Sequence, residues 1–168
     1  IGPVSSRGFQ RATYQYSNIL FHMTLYTIFQ ILKFASDFYE NVLVNDDSAT
    51  RVREYVSGER QISRETCQKF SMGYAPHYSD DTLTSYLTKS GFTDDLQIKA
   101  GLAKVKNNKL VDFFRGRLMF PIRDRQGRTV GFGGRVMDSK FLPKYLNTPN
   151  TVVFTKGKEL YGLFEASQ

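Results

Sequence analysis

The most regular pattern of apolar and polar positions in this chain spans residues 25–43. Apolar side chains recur there at steps of three and four residues, the spacing of one face of an α-helix. They are Leu25, Ile28, Phe29, Leu32, Ala35, Phe38, Val42 and Leu43. Lys33, Asp37 and Glu40 fall between them. The pattern predicts an amphipathic helix that packs one stripe against a core and ends at the polar loop 45–48.

Shorter helices with recognisable ends are predicted next. Residues 49–57 form the first of them. Ser63 is typical of an N-cap, and Ile62 and Cys67 have the spacing of a hydrophobic staple around it. Gly73 then has the position of a glycine that ends this second helix.

Two further helices are predicted from residues with helix-start chemistry. Ser79 and Thr93 are candidate N-caps, followed by the acidic pairs Asp80–Asp81 and Asp94–Asp95. The helix dipole favours carboxylates in a first turn, so we interpret both pairs as helix starts rather than metal ligands. Gly101 ends the second of these helices.

After these helices the pattern changes to strands and turns. The predicted strands are 103–105, 110–113, 118–122 and 129–137. Asn107 and Asn108 predict a hairpin turn between the first two, and Pro121 predicts an edge strand or a strand end. A last helix is predicted from near Lys158. Helices followed by a small, mostly antiparallel sheet and a closing helix make an α+β fold.

The length of 168 residues fits one domain. We assign residues 25–168 to it and residues 1–24 to an N-terminal extension of unassigned role, which could include vector-derived residues. No uninterrupted apolar stretch reaches the roughly eighteen residues of a membrane span, so we expect no membrane partner. The single cysteine, Cys67, excludes an intrachain disulfide and a four-cysteine zinc site, and His22 and His77 are far apart in sequence. We therefore expect no metal site.

The basic charge of the chain is concentrated in its second part. Residues 1–100 have a net charge of −1 and residues 101–168 a net charge of +8, within a total of +7. This asymmetry favours a face that binds a polyanion, although a solvated basic surface has the same composition.

Six arginines are interleaved with phenylalanines in the most basic stretch. They are Arg115, Arg117, Arg123, Arg125, Arg128 and Arg135, with Phe113, Phe114, Phe120 and Phe132. Because alternate side chains share one face of a strand, Arg115, Arg117 and Arg123 are predicted to line one surface. Guanidinium groups pair with phosphates and aromatic rings stack with bases, so such a surface suits single-stranded nucleic acid. The alternative is that the phenylalanines are core and the arginines are merely solvated.

The segment 143–149 combines a cation, an aromatic ring and an amide between two prolines. Lys144 could meet a triphosphate, Tyr145 a base or sugar, and Asn147 a hydroxyl or base edge. Residues 155–158 follow, with lysines and backbone N–H groups just before the last predicted helix, an arrangement that favours anions. The alternative is an ordinary surface loop bounded by prolines.

Several of these segments follow one another at close spacing. They are RLMFPIRD at 117–124, GR at 127–128, GFGGR at 131–135, PKYLNTP at 143–149 and FTKGKELYG at 154–162. Upstream stand YV at 55–56, RQI at 60–62 and GYAP at 73–76. With this set of motifs, over about residues 28–168, the chain resembles the bacterial DnaG-type primase family.

The resemblance implies the N-terminal, basic subdomain of the RNA polymerase core of a DNA primase, a nucleotidyltransferase that copies single-stranded DNA into short RNA primers. It implies template contacts at Arg60, Arg115, Arg117 and Arg135, to which the arginine cluster adds Arg123. It implies nucleotide contacts at Lys144, Tyr145, Asn147, Lys156 and Gly157.

The chain also departs from the pattern of the family. Gln61 stands where glycine is usual, Asn150 replaces a common glutamate, and Thr155 replaces a common histidine. The cysteine and histidine ligands of the family's zinc-binding domain are missing, as are the metal-binding carboxylates of its TOPRIM subdomain. We therefore expect this fragment to bind no cofactor and to be inactive alone, because two-metal nucleotidyl transfer needs such carboxylates. Mg or Mn would belong to TOPRIM and Zn to the zinc-binding domain of the full protein.

The partners that the resemblance implies are single-stranded DNA, NTPs, an RNA–DNA hybrid, the TOPRIM subdomain of the same chain and the replicative helicase. The implied location is the bacterial cytoplasm at the replication fork, or an organelle of bacterial origin. Two other functions remain open from the sequence: a stand-alone module for single-stranded nucleic acid, and a basic docking domain for an acidic protein.

Overall fold

The computed structural model describes residues 6–138 and 142–167, with side chains from residue 15 onward. The helices are α1 (Ser6–Asn45), α2 (Thr50–Glu54), α3 (Arg64–Lys69), α4 (Thr82–Lys89), α5 (Asp94–Lys99) and α6 (Leu163–Ala166). A 3-10 turn (Asp47–Ala49) precedes α2, and a π-helical turn (Tyr55–Glu59) continues it. The strands are β1 (Gly73–Ala75), β2 (Ala103–Lys106), β3 (Lys109–Asp112), β4 (Arg117–Arg123), β5 (Thr129–Val136) and β6 (Tyr145–Asn147). This order of helices, antiparallel strands and a closing helix confirms the α+β prediction.

The main sheet has four strands in the order β1-β4-β5-β6, and every neighbouring pair is antiparallel. Strands β2 and β3 form a separate two-stranded hairpin. Pro121 was predicted to mark an edge strand or a strand end; β4 as a whole lies between β1 and β5, but at Pro121 it has an open edge. Pro121 is tolerated because β1 pairs with β4 only as far as Met119, so no partner on that side needs its missing N–H.

Helix α1 is the central packing element. The predicted stripe is confirmed in its C-terminal part, where Ile28, Leu32 and Ala35 are fully buried against the sheet. The helix begins at Ser6, so it runs across the predicted domain boundary at residue 25. In its first part apolar side chains such as Leu20 and Phe21 are exposed. The core therefore uses about the last five turns of a much longer helix.

By length and composition alone, α1 from Gln15 to Asn45 is also able to cross a membrane, contrary to the sequence expectation of no span. The core helix of a globular protein meets the same criterion. Ile28, Ile31 and Leu32 of this segment are buried in the protein core. Packing within the protein therefore accounts for the apolar character of α1 from Ile28 onward, whereas only 28% of the most apolar 18-residue window of the helix is buried.

Contact between α1 and β1 depends on Gly73. A Cβ atom on Gly73 would lie 2.6 Å from the carbonyl carbon and the Cβ of Tyr39. Only glycine lets the strand approach the helix this closely. Gly73 was predicted to end α3, which is wrong: the left-handed residue after that helix is Ser71, with φ 44°.

The predicted caps are confirmed where the signal is local. The hydroxyl groups of Ser63 and Thr93 accept hydrogen bonds from the third backbone N–H of their helices. The prediction for Ser79 is wrong, because α4 begins after Asp81 and its first N–H groups donate elsewhere. Asp112, at the end of β3, accepts from Leu83 N at 2.9 Å and Thr84 N at 2.8 Å. A buried carboxylate from a distant strand thus caps α4.

The hairpin turn is confirmed at Asn107 and Asn108, whose φ values are 52° and 58°. Two successive left-handed residues are typical of a type I′ turn, which matches the twist of a hairpin. The predicted last helix is wrong at its start: α6 begins at Leu163, not near Lys158. Gly157 and Gly162 both have positive φ, which a continuous α-helix cannot contain, so the helix starts only after Gly162.

Candidate nucleic-acid interface

Two adjoining clefts lie on one side of the molecule. The first, of about 460 Å³, is lined by Tyr55, Glu59, Arg135, Val136, Met137, Leu142 and Lys144. The second, of about 570 Å³, is lined by Ser48, Arg51, Val52, Tyr55, Glu59, Tyr74, His77, Gly116, Met137 and Asp138. Because Tyr55, Glu59 and Met137 line both, the clefts form one continuous surface from Lys144 to Gly116. We call this surface the cleft face.

Arg135 and Tyr55 form the centre of the cleft face. The Cζ atom of Arg135 lies 4.8 Å from the centroid of the Tyr55 ring, and its guanidinium donates a hydrogen bond to the Tyr55 hydroxyl. The sheet register pairs Arg135 with Leu118 on one side and with Tyr145 on the other. Directly paired residues share a sheet face, so the Tyr145 ring lies on the same side as Arg135.

Strand β6 positions the next group of predicted residues. An ordinary proline-bounded loop was the alternative left open for this segment, but Tyr145–Asn147 forms a strand that pairs with β5. Thr148 holds its end, since the buried hydroxyl accepts from Phe132 N at 2.8 Å. Tyr145 is 63% exposed on this edge strand, and Lys144 Nζ lies 5.8 Å from its ring centroid. Lys144, Tyr145 and Asn147 are therefore brought together, with a cation and a free ring facing solvent.

Arg60 is exposed directly after the π-helical turn, one residue beyond Glu59 of the clefts. Its backbone N–H donates to Tyr55 O at 3.0 Å. Gln61, where glycine is usual in the family, has φ 53°. The chain therefore adopts a left-handed conformation at this position, which costs a non-glycine residue about 1 kcal/mol.

Arg115 marks the other end of the cleft face. Its guanidinium forms an ion pair with Asp80, and its side chain is 32% exposed. The next residue, Gly116, lies against the His77 side chain: a Cβ atom on Gly116 would be 3.5 Å from the Cβ of His77. Tyr78, in the loop between His77 and Asp80, is 62% exposed. A partly exposed arginine, paired with Asp80, and an exposed aromatic ring therefore lie at this end too.

Arg117 does not lie on an open surface. It is only 4% exposed, and its guanidinium donates to Gly134 O at 3.4 Å. Burial lowers the pKa of the Arg117 guanidinium. Arg117 lies beneath β5, because it alternates with Leu118 and so faces the opposite side of the sheet from Arg135.

Arg123 is at the far end of β4 and has internal partners. Its guanidinium donates to the buried Glu165 carboxylate at 2.9 Å and to Ser71 Oγ at 2.6 Å. It also lies 5.9 Å from the Phe164 ring centroid. The prediction that Arg115, Arg117 and Arg123 line one surface is therefore wrong. Arg115 lies at the end of the cleft face, Arg117 is buried, and Arg123 binds Glu165 of α6.

Lys156 and Gly157 are exposed in the turn after Phe154. Lys156 N donates to Asn150 Oδ1 at 2.9 Å, which ties this turn to the segment after β6. Lys156 does not line the cleft that Lys144 lines. The expected anion site at a helix N-terminus is wrong, because α6 begins only at Leu163.

The charges around the cleft face are mostly positive. The cations are Arg51, Arg60, Arg115, Arg135 and Lys144, and the acids are Glu59, Asp80 and Asp138. Within residues 6–138 and 142–167, no group of three or more His, Cys, Asp or Glu side chains is arranged to hold a metal ion. The arrangement suits an extended anion with flat groups, since cations alternate with the rings of Tyr55, Tyr78 and Tyr145.

Sequence reasoning missed Arg51, Tyr55 as a partner of Arg135, and Tyr78. No local signal identifies Arg51, because an exposed arginine on a short helix is unremarkable in sequence. Tyr78 follows the Gly73–Pro76 motif and is a large ring among polar residues. A search for exposed aromatic residues between loop signals would have found it.

Comparison with known proteins shows the family to which the chain belongs. Residues 38–167 match the family model for the N-terminal domain of the DNA primase catalytic core. The chain is 42% identical over 141 residues to the DNA primase of Synechococcus elongatus, covering 83% of this chain and 20% of that protein. It therefore spans about a fifth of the length of this relative.

Solved structures agree with the sequence comparison. A DnaG primase catalytic domain bound to ssDNA superposes with a TM-score of 0.79 at 37% identity, over 87% of this chain and 46% of that one. The zinc-binding and RNA polymerase domains of the Aquifex aeolicus primase superpose with a TM-score of 0.71 at 30% identity, over 82% of this chain and 32% of that one. The chain belongs to the family of the N-terminal domain of the DNA primase catalytic core.

Proposed function

We propose that the cleft face binds single-stranded DNA template and presents it for RNA primer synthesis. The observation that supports this most directly is its continuity: Lys144 and Arg135 line the first of two adjoining clefts, Arg51 lines the second, and Arg115 directly precedes Gly116 at the end of the second. Phosphates would pair with the guanidinium and ammonium groups, and bases would stack on Tyr55, Tyr78 and Tyr145. A solved relative of this family is bound to ssDNA, which makes the same ligand a reasonable one here.

The template role differs among the predicted arginines. Arg60, Arg115 and Arg135 would contact the strand directly, because they are at least partly exposed at or beside the clefts. Arg117 would act from beneath, by holding the β4–β5 pair through Gly134. Arg123 would contribute by holding α6, since its guanidinium is already engaged with Glu165.

The nucleotide would lie at the Lys144 end of the face. Lys144 would neutralise triphosphate charge, Tyr145 would stack with a base, and Asn147 would bond a hydroxyl or base edge. Lys156 and Gly157 would join this site only if the turn that carries them approaches the bound phosphates. Titration of a fluorescent NTP separates this function from that of a simple strand-binding module: Lys144→Ala is expected to weaken nucleotide binding several-fold.

In the whole protein this domain would serve a DNA-directed RNA polymerase. The metal-dependent transfer would require Mg or Mn bound by carboxylates of a TOPRIM subdomain, and Zn would be held by a separate zinc-binding domain. Its further partners would be the product RNA–DNA hybrid and the replicative helicase. It would act in the bacterial cytoplasm, at the replication fork. The domain alone would bind strand and nucleotide without making primers.

The test is fluorescence anisotropy of a labelled single strand across a salt series. Wild type should bind with a clear negative slope of log affinity against log salt. Arg60→Gln/Arg115→Gln/Arg135→Gln should flatten that slope by about two units, at roughly 0.7 per lost phosphate contact. A control that removes three lysines outside the face, Lys33→Gln/Lys89→Gln/Lys99→Gln, should retain most of the wild-type slope. If the arginine variant binds the strand like wild type, the cleft face is not the template site.

A further inference from the structure

The β2–β3 hairpin presents a row of lysines on one face. Its register pairs Lys104 with Val111 and Lys106 with Lys109. Because alternate residues of a strand share a face and direct partners lie side by side, the three lysines fall on the same side of the hairpin. All three are exposed. We call this side the lysine face.

The lysine face has a local electrostatic cost. Lys106 and Lys109 are direct cross-strand partners, and like charges in such a pair are destabilising. Among the described residues no carboxylate forms an ion pair with either of them or with Lys104, whose ammonium lies 5.6 Å from the Phe113 ring centroid. Lys33 and Lys99, in contrast, each pair with an aspartate four residues away. The hairpin therefore keeps its positive charge available to a ligand.

The hairpin is firmly attached to the fold. Val111 is buried, and Phe113 N donates to Leu102 O at 2.9 Å at its base. Asp112, the last residue of β3, caps α4 through two backbone N–H groups. A fixed base lets the three ammonium groups act together, because the backbone that carries them needs no ordering when a ligand binds.

The lysine face adjoins the Arg115 end of the cleft face. Asp80 pairs with Arg115, and its backbone carbonyl accepts from Asp112 N at 2.7 Å. Asp80 and Asp81 also line a cleft of about 380 Å³ together with Lys106 and Lys109, and neither aspartate forms an ion pair with these lysines. One residue therefore borders both the arginine of the cleft face and the lysines of the hairpin.

We propose that the lysine face is a second binding surface for the phosphate backbone of single-stranded DNA, engaged where the strand continues past Arg115. The inference rests on the proposed strand binding by the cleft face. The hairpin offers point charges and no ring at its tip, so its contacts would be independent of base sequence. The effect should appear only with strands long enough to pass Arg115.

The test compares three forms of the full chain. The first is wild type, and the second is Lys104→Gln/Lys106→Gln/Lys109→Gln. The third, Lys33→Gln/Lys89→Gln/Lys99→Gln, removes the same charge from helices outside the hairpin. Each is titrated by anisotropy with labelled oligothymidine of about 8 and about 25 nucleotides, and with a duplex, across a salt series. Urea unfolding of each form verifies that the substitutions leave the fold intact.

For the long strand, the hairpin variant should lose about two units of salt slope, at roughly 0.7 per lost phosphate contact. The short strand and the control variant should keep most of the wild-type behaviour. If the hairpin variant binds the long strand with the wild-type slope, the lysine face is not a strand site, although the cleft face still is. A loss confined to the duplex would overturn the single-strand assignment in favour of a double-stranded ligand. If wild type binds no strand, the proposed function itself fails, and this inference fails with it.

Discussion

The guanidinium of Arg135 lies over the ring of Tyr55, 4.8 Å from Cζ to the ring centroid, and donates to the hydroxyl of the same residue. Arg135 comes from β5 and Tyr55 from the π-helical turn, so this contact joins the sheet to the helical layer in the middle of the cleft face. The ring and the hydroxyl of Tyr55 together limit the orientations of the Arg135 guanidinium.

Two substitutions of Tyr55 distinguish the contribution of its ring from that of its hydroxyl. Tyr55→Leu removes the cation–π contact, worth about 0.5–1 kcal/mol at a partly exposed site, and should weaken single-strand binding by about two- to fivefold. Tyr55→Phe retains the ring and should stay within about twofold of wild type. Anisotropy titrations at fixed salt measure both. Equal losses in the two variants would show that the hydroxyl, and not the ring, positions Arg135.

Gln61 has a conformation that glycine adopts more easily. Its φ of 53° places a side chain in the left-handed region, so Gln61→Gly should increase the free energy of unfolding by up to about 1 kcal/mol. Urea unfolding measures this gain. The Gln61 side chain is exposed, so a loss of stability would mean that it makes contacts that outweigh the backbone strain.

Gly73 is required by the close approach of β1 to α1. Gly73→Ala should destabilise the chain by about 1–3 kcal/mol, because the new Cβ would overlap Tyr39. Gly58→Ala is the matched control: its Cβ would meet no atom within 4 Å, and helical alanine should stabilise by about 0.5–1 kcal/mol. Thermal or urea unfolding of both variants should therefore give opposite signs. A neutral Gly73→Ala would show that strand and helix separate without cost.

Asp112 makes stability depend on pH. Burial, and secondarily the charge of Asp81, raises the pKa of its carboxyl to about 6, although the N–H groups of Leu83 and Thr84 oppose the shift. The folded chain thus holds this proton more tightly than the unfolded chain, whose aspartate pKa is about 3.9. The resulting stabilisation is complete below about pH 4 and is lost as the pH rises through about 6, by about 3 kcal/mol at most.

Asp112→Asn removes this titration and isolates its effect. The free energy of unfolding of wild type, minus that of the variant, should fall between pH 4 and pH 7, with most of the change between about 4 and 6. Urea unfolding at several pH values measures the difference. A difference that stays constant, or that grows with pH, would show that the carboxyl is ionised throughout and bound by the helix N-terminus.

Much of the fold was predictable from the sequence because its signals are local. The stripe on α1 follows from helical spacing, Ser63 and Thr93 cap the helices that they precede, and the turn at Asn107–Asn108 needs two residues that tolerate positive φ. Each of these signals lies within one element, so periodicity and side-chain chemistry are sufficient to find it.

The errors concern relationships across the chain. Asp112 caps a helix that begins about thirty residues earlier, and Arg123 pairs with Glu165, 42 residues away. Strand β6 has only three residues and forms because β5 offers an open edge. Alternation within β4 cannot show that β5 covers Arg117. Such facts depend on tertiary packing, which sequence spacing does not specify.

The candidate site was predictable in composition but not in arrangement. The family resemblance identified Arg60, Arg135 and Lys144, and the structure places them at or beside adjoining clefts. It did not identify Tyr55 and Tyr78 as the rings beside them. The resemblance identifies residues by their place in sequence motifs, whereas the two rings are recognised as part of the candidate site only from their positions in the structure.

The most direct test of the cleft face as template site is photocrosslinking of a single strand substituted with 5-iodouracil, followed by mass spectrometry of the adducts. We expect adducts at Tyr78, Tyr145 and Tyr55, and none at Tyr26, which is 66% exposed but lines a separate cleft with Arg123 and Arg128. Adducts concentrated at Tyr26 and Phe34, with the cleft face unmodified, would contradict the account and move the template to that other basic cleft.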